Sequence, residues 1–308
     1  MAQADWVRSS LDFVSHGSRC AAWLYLPNAV ARPPVVIMAH GFGAERTFGL
    51  EPFAERFAQA GLAAFLFDYR CFGDSEGEPR NWVSPRRHLQ DWEAALVHVK
   101  SLAAIDASRI ALWGTSFSGG HVIVIAARHP ELSAVIAQVP FADGLALLGS
   151  VPLELMPRLV MAALRDVLRS LTRRPSFTVP IVGPPDSLAI MNMPGSWEGY
   201  QSILPKQTSW TNACPARVVF TATFYRPTRH ASRVRCPVLL VMAERDEVIP
   251  SWSVKKELAR LPNAQLAALN CTHFDPYKGS WFEKAVTAER NFLALHLRNE
   301  RRPTGLDR

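Results

Sequence analysis

Six strand-length segments constrain the fold of this chain more than any other feature: Val35–Ala39, Leu62–Tyr69, Ile110–Thr115, Ala134–Val139, Val238–Ala243 and Gln265–Asn270. Val35-Val36-Ile37-Met38-Ala39 has no polar alternation, which is the pattern of a strand buried on both faces. Helix-compatible stretches separate these segments. Residues 52–60 begin with Pro52 in a first-turn position and end before Gly61. Residues 86–103 repeat apolar side chains at Leu89, Trp92, Ala95, Leu96 and Val99, and 119–128, 253–261 and 281–297 also suit helices. Strand and helix in alternation predict an α/β protein, a mostly parallel central sheet with helices on both faces. Ahead of it, residues 6–26 read as an antiparallel strand pair with a turn at His16-Gly17-Ser18.

The alternation lapses between residues 141 and 232. That stretch holds 10 of the 23 prolines and 4 of the 7 methionines, a segment at Leu159–Leu171 with helical character, and irregular sequence over Val179–Gly199. The expected organisation is therefore a core of residues 1–140 and 233–308 with a largely helical insertion at 141–232. The 308 residues, 48% of them hydrophobic, suffice for one large core. The charge of +7 is scattered, with one dense cluster at Arg298, Arg301 and Arg302, and reads as solvated surface rather than a nucleic-acid site. Five widely spaced cysteines without a C-x-x-C pair argue against a zinc site or a disulfide framework and for a reducing cytoplasm. No signal-peptide pattern is visible from Met1 to Trp6, and no apolar run is long enough to span a bilayer.

The segment Ile110 to His121 carries the chemistry. A strand ends in Gly114-Thr115-Ser116-Phe117-Ser118-Gly119-Gly120 and a helix follows. A serine on such a turn projects its Oγ beside the free N–H groups of the helix start. Serine is a weak nucleophile at neutral pH and needs a base, itself oriented by a carboxylate. His273 is the expected base, in the loop after the last strand. Asp246 is the expected carboxylate, just past the preceding strand; Glu244 and Glu247 are neighbours that could compete, and Asp275 is too close in sequence to His273. Two backbone N–H groups are needed for the oxyanion. One falls to Phe117. The other falls to Phe42, in the His40-Gly41-Phe42-Gly43 loop that follows the buried strand.

Strand-His-Gly-Phe-Gly, then Phe67-Asp68-Tyr69-Arg70-Cys71-Phe72-Gly73-Asp74-Ser75, then Gly-x-Ser-x-Ser-Gly, then a carboxylate loop ending in Val248-Ile249-Pro250, then a late histidine resembles the α/β-hydrolase superfamily. The order Ser116, Asp246, His273 is that of the superfamily. The match spans about 1–140 and 233–308, and the insertion stands where members carry a cap. Among its branches the chain is similar to bacterial esterases of the dienelactone-hydrolase or acyl-peptidase-like type. The resemblance implies a Ser–His–Asp mechanism through an acyl-enzyme, with no metal and no organic cofactor. Two positions depart from the pattern. Ser118 replaces the last glycine of the elbow, and Cys71 stands where Asp-x-Arg-Gly is usual. A serine rather than an aspartate at the nucleophile position argues against the dehalogenase and epoxide-hydrolase branches.

The substrate expected is a small to medium, fairly apolar ester or lactone, with acyl transfer or thioester cleavage as the alternative. A ligand-binding protein on the same fold would not need the three-residue set. His40, Gly41, Val139 and Phe141 lie at strand ends beside the elbow and are candidate substrate contacts. Met191 and Trp197 are candidates from the insertion, whose Met and aromatic residues suit an adaptable pocket wall as well as the insertion's own core. A small-molecule ester is the expected partner, without nucleic acid or a membrane span; a homodimer is compatible with the sequence.

Overall fold

The computed structural model describes residues 5–297. Met1–Ala4 of the amino-terminal stretch, and the cluster of Arg298, Arg301 and Arg302, lie outside the described residues. Among the described residues there are twelve strands and eight α-helices. The strands are β1 (Trp6–Ser10), β2 (Phe13–Ser15), β3 (Ser18–Cys20), β4 (Ala22–Pro27), β5 (Val35–Ala39), β6 (Ala63–Phe67), β7 (Ile110–Thr115), β8 (Ala134–Gln138), β9 (Thr178–Val179), β10 (Cys214–Pro215), β11 (Val238–Ala243) and β12 (Ala264–Leu269). The helices are α1 (Glu51–Gln59), α2 (Pro85–Lys100), α3 (Phe117–Ala126), α4 (Leu155–Leu171), α5 (Ser196–Ile203), α6 (Val218–Thr223), α7 (Ser251–Leu258) and α8 (Gly279–His296).

Eight strands form one sheet in the order β1-β4-β6-β5-β7-β8-β11-β12. Pairing is antiparallel at β1–β4 and β4–β6 and parallel from β6 to β12. Every residue of β5, β6, β7, β8 and β11 is buried, as their apolar sequences require. α1 contacts α8, and α2 contacts α3, so the two pairs cover the sheet from its two faces. On one face Phe53 and Phe282 pack edge to face, with Trp113 of β7 beside Phe53; on the other Trp92 of α2 meets Phe67 of β6. The amino-terminal segment is more divided than one strand pair. β1 joins the main sheet through β4, while β2 and β3 form a separate hairpin. Its turn has positive φ at both His16 and Gly17, the geometry that matches strand twist in a two-residue turn.

Because β5, β7, β8, β11 and β12 run parallel, their carboxyl ends lie along one edge of the sheet. The loops after them bring residues 40–43, 116, 246 and 273 to that edge, the usual place for a site in such a sheet. Between β8 and β11 no strand joins the main sheet. Three α-helices and a two-residue β9–β10 ladder lie there instead. The irregular part is held by side chains. Asn212 Oδ1 accepts from the amides of Ile181 and Val182, both at 3.0 Å. Asp166 accepts from the amides of Phe177 and Arg217 and pairs with the Arg217 guanidinium at 2.6 Å.

Candidate active site

β7 ends at Thr115, and the next residue leaves the strand sharply. Ser116 has φ 53° and ψ −118°, a conformation that costs a non-glycine residue on the order of 1–3 kcal/mol. The turn is held at both sides: the Ser116 amide donates to Gln138 O at 2.8 Å, and Ser116 O accepts from Phe141 and Gly119, each at 2.9 Å. Crowding explains the small residues of the motif. A Cβ at Gly114 would lie 2.3 Å from the Ser118 carbonyl oxygen. Ser118 itself is fully buried and shares a 2.7 Å hydrogen bond with the Tyr69 hydroxyl, which also accepts from Trp92 Nε1 at 2.9 Å. The serine at the last elbow position thus ties α3 to the loop after β6.

Ser116 Oγ lies 3.1 Å from His273 Nε2, and His273 Nδ1 lies 2.7 Å from Asp246 Oδ2. Asp246 Oδ1 accepts from the amides of Val248 and Ile249 at 2.8 and 2.7 Å, which fixes the carboxylate in its loop. The carboxylate can only accept, so the proton on this edge of the ring belongs to Nδ1, leaving Nε2 free to take one from Ser116. The competing acids are elsewhere. Glu244 and Glu247 are exposed, and Asp275 Oδ2 accepts from the amide and hydroxyl of Thr272 in its own loop.

The His40–Gly43 loop passes beside the serine. A Cβ at Gly41 would lie 3.0 Å from Ser116 Cβ, so a larger residue would push the loop off Ser116. Neither the Phe42 nor the Phe117 amide donates to the backbone among the described residues, and their rings meet edge to face at 5.5 Å. Two donors are therefore free beside Ser116. His40 is placed beneath this loop rather than in the cavity: it is fully buried, and its Nδ1–H donates to Gly41 O at 3.1 Å. Burial holds its pKa down to about 4, so the ring stays neutral beside Asp68. The Gly41 carbonyl and the Phe42 N–H share one trans peptide and point in opposite directions. Drawing the carbonyl toward His40 aims the N–H away from it.

A cavity of about 20 Å³, enough for one water molecule, opens on Ser116. Gly41, Phe42, Phe48, Leu50, Thr115, His273, Phe274 and Tyr277 line it from the sheet side, and Met191, Tyr200 and Ile203 from the insertion. Of the expected substrate contacts, the structure brings Gly41 and Met191 here. His40, Val139, Phe141 and Trp197 do not line it. Val139 packs with Ala243 and Cys271 and is nearly inaccessible. Phe141 packs between Phe117 and Tyr225, behind the elbow. Trp197 is half-buried against the main core. Tyr200 is one of the insertion's aromatic residues that suit a pocket wall, whereas Ile203 is not legible in the sequence, although the two stand three residues apart, the spacing at which two side chains share a helix face. No group of acidic, His and Cys side chains among the described residues could hold a metal ion.

The profile of the serine aminopeptidase S33 family matches residues 32–271. The chain belongs to this family. The quorum-quenching protein AidA of Acinetobacter baumannii is 38% identical over 283 residues, 92% of this chain and 93% of its own. The thiohydrolase AneE of Aspergillus aculeatus is 26% identical over 303 residues, 92% of each chain. The crystal structure of the α/β-hydrolase GrgF from Penicillium sp. sh18 matches with a TM-score of 0.80 at 23% identity, covering 94% of this chain and 99% of that one. The fold is therefore that of the α/β-hydrolases, and the chain is an ester-acting hydrolase.

Proposed function

We propose that the protein cleaves carboxylic esters, lactones or thioesters of small to medium, apolar acyl groups, with Ser116, His273 and Asp246 as the catalytic triad. The observation that carries this reading is the hydrogen-bonded chain from Asp246 through His273 to a strained, cavity-facing Ser116. In the first half-reaction Ser116 Oγ attacks the acyl carbon and its proton passes to His273 Nε2. The developing oxyanion receives the N–H groups of Phe42 and Phe117. Collapse breaks the bond to the leaving oxygen or sulfur, which takes the proton from His273. Water, deprotonated by the same nitrogen, then releases the acid and restores Ser116. None of these steps calls on a metal or an organic cofactor.

The cavity lining supports the substrate class. Apart from His273 it carries no ionisable acid or base of the Asp, Glu, Lys or Arg type, only aromatic, aliphatic and small side chains. An aminopeptidase needs an anion to receive the substrate's α-ammonium group, and the lining offers none. A neutral acyl chain suits it better. We further infer that residues 141–232 act as a cap, since Met191, Tyr200 and Ile203 close the cavity from above. The five cysteines are all buried and unpaired, which favours a reducing compartment.

Acyl transfer is a second reading, favoured by the small free volume beside Ser116, which limits bulk water at the acyl-enzyme. Turnover of p-nitrophenyl esters and acyl thioesters of graded chain length tests both. Hydrolysis by the wild type, abolished in Ser116→Ala, is the expected result. Product formed with an added alcohol far above hydrolysis would assign transfer instead. No turnover of any of these acyl donors would contradict both readings.

A further inference from the structure

The insertion also grips the loop that carries the Phe42 amide. Tyr200, on α5, donates its hydroxyl to the Phe42 carbonyl at 3.1 Å. Trp210 donates Nε1–H to the next carbonyl, that of Gly43, at 2.8 Å. The two rings stack at 5.4 Å and 30°, and Phe48 presents an edge to each. Gly43 has φ +65°, and a Cβ there would collide with Ile181 of the insertion at 2.5 Å. Three insertion side chains thus meet two consecutive residues of one tight loop.

We propose that Tyr200 and Trp210 are positioning residues that hold the oxyanion loop in its working geometry, so that the cap completes the oxyanion hole. The inference rests on the reading of Phe42 N–H as an oxyanion donor. A backbone amide rotates with the φ and ψ on either side of it. On the sheet side His40 holds the Gly41 carbonyl, and Asp68 Oδ1 accepts the Arg46 amide at 2.6 Å. The carbonyls of Phe42 and Gly43 lie between those anchors, and their side-chain partners come from the cap. Without them the left-handed Gly43 is a hinge at which the loop turns freely. Burial pushes the Tyr200 hydroxyl pKa well above its usual value, so it remains a donor.

α5 touches the other half of the machinery as well. Tyr200 meets Phe274 edge to face at 6.1 Å, and Phe274 in turn lies 5.0 Å from the His273 ring. A cap that moves aside to admit substrate would release both carbonyls. Its return would realign the donor and the base together, which gives the small cavity a catalytic sense beyond excluding water.

Tyr200→Phe removes one hydroxyl and keeps the ring stack; Trp210→Phe removes the other donor. Each variant is measured for kcat and KM on a p-nitrophenyl ester, for inhibition by a trifluoromethyl ketone that forms a tetrahedral adduct with the nucleophile, and for melting temperature. The expected result is a fall in kcat of roughly 10-fold, less than the 10²–10³-fold of losing an oxyanion donor outright, with KM within about twofold. The ketone's inhibition constant should rise by the factor by which kcat/KM falls, as a group that acts in the transition state requires. Unchanged kcat in both folded variants, or a loss confined to KM, would overturn the inference while leaving the triad intact. If Trp210→Phe fails to fold, the single hydroxyl of Tyr200 still decides the matter. Failure of the ketone to inhibit even the wild type would remove the oxyanion reading, and this inference with it.

Discussion

Asp246 turns its two oxygens to different tasks, and that division makes its role testable. Oδ1 is occupied by two backbone amides, while Oδ2 faces His273 Nδ1, and the side chain is only 4% exposed. In Asp246→Asn the amide oxygen will keep the two backbone donors, which leaves the NH₂ group pointing at Nδ1. The ring must then carry its proton on Nε2 and can no longer accept one from Ser116. We expect kcat to fall roughly 10³–10⁴-fold with folding intact; a loss below about tenfold in a steady-state assay would argue that another carboxylate orients the base. At this scale the positions of Ser116, His273 and Asp246 were legible because each follows a strand that its apolar sequence announces. The cavity wall was less legible. Val139 and Phe141 follow β8, the strand next to the one that ends at the elbow, yet the positive φ of Val139 and the packing of Phe141 on Phe117 keep both out of the cavity. Cys71 shows the cost of a departure from the family pattern: it takes φ 75°, the conformation that makes glycine usual there.

The buried strands were readable almost to the residue, since a run with no polar side chain fits one environment. β7 and β11 span the ranges read from sequence. Helix starts shifted by one to four residues, because the first turn carries little periodic signal. The insertion resisted for a different reason: its irregular part is fixed by long-range side-chain bonds, such as those of Asn212 and Asp166, which leave no period in the sequence. Among the regular elements, α7 carries a liability. Glu257 is fully buried, and neither of its oxygens has a hydrogen-bond partner among the described residues. Burial, with Asp143 nearby, pushes its pKa up from 4.5 to about 8. Below pH 4.5 the group is protonated in both folded and unfolded chains and costs nothing through ionisation. Between pH 4.5 and 8 the unfolded chain ionises first, so stability is lost steadily across that window. Glu257→Gln is neutral throughout. Its stability advantage over the wild type in denaturant melts should therefore grow from pH 4.5 to pH 8, to on the order of a few kcal/mol. A difference independent of pH would show that Glu257 finds a partner.

Across the whole molecule, the parallel sheet collects the ends of six strands on one edge, and residues of the insertion after β8 line the cavity there. The superfamily could be read from five motifs scattered over some 230 residues, because each sits at a strand end that the sheet topology brings together. The substrate could not, because the cavity wall comes partly from the insertion. The proposed mechanism requires that Ser116 become covalently acylated. Rapid quenching of the enzyme with a p-nitrophenyl ester, followed by intact-mass measurement and peptide mapping, tests this most directly. The expected result is one acyl group per chain, on Ser116, absent from Ser116→Ala. Turnover with no acyl-enzyme at any quench time, or an acyl group on another residue that Ser116→Ala retains, would contradict it.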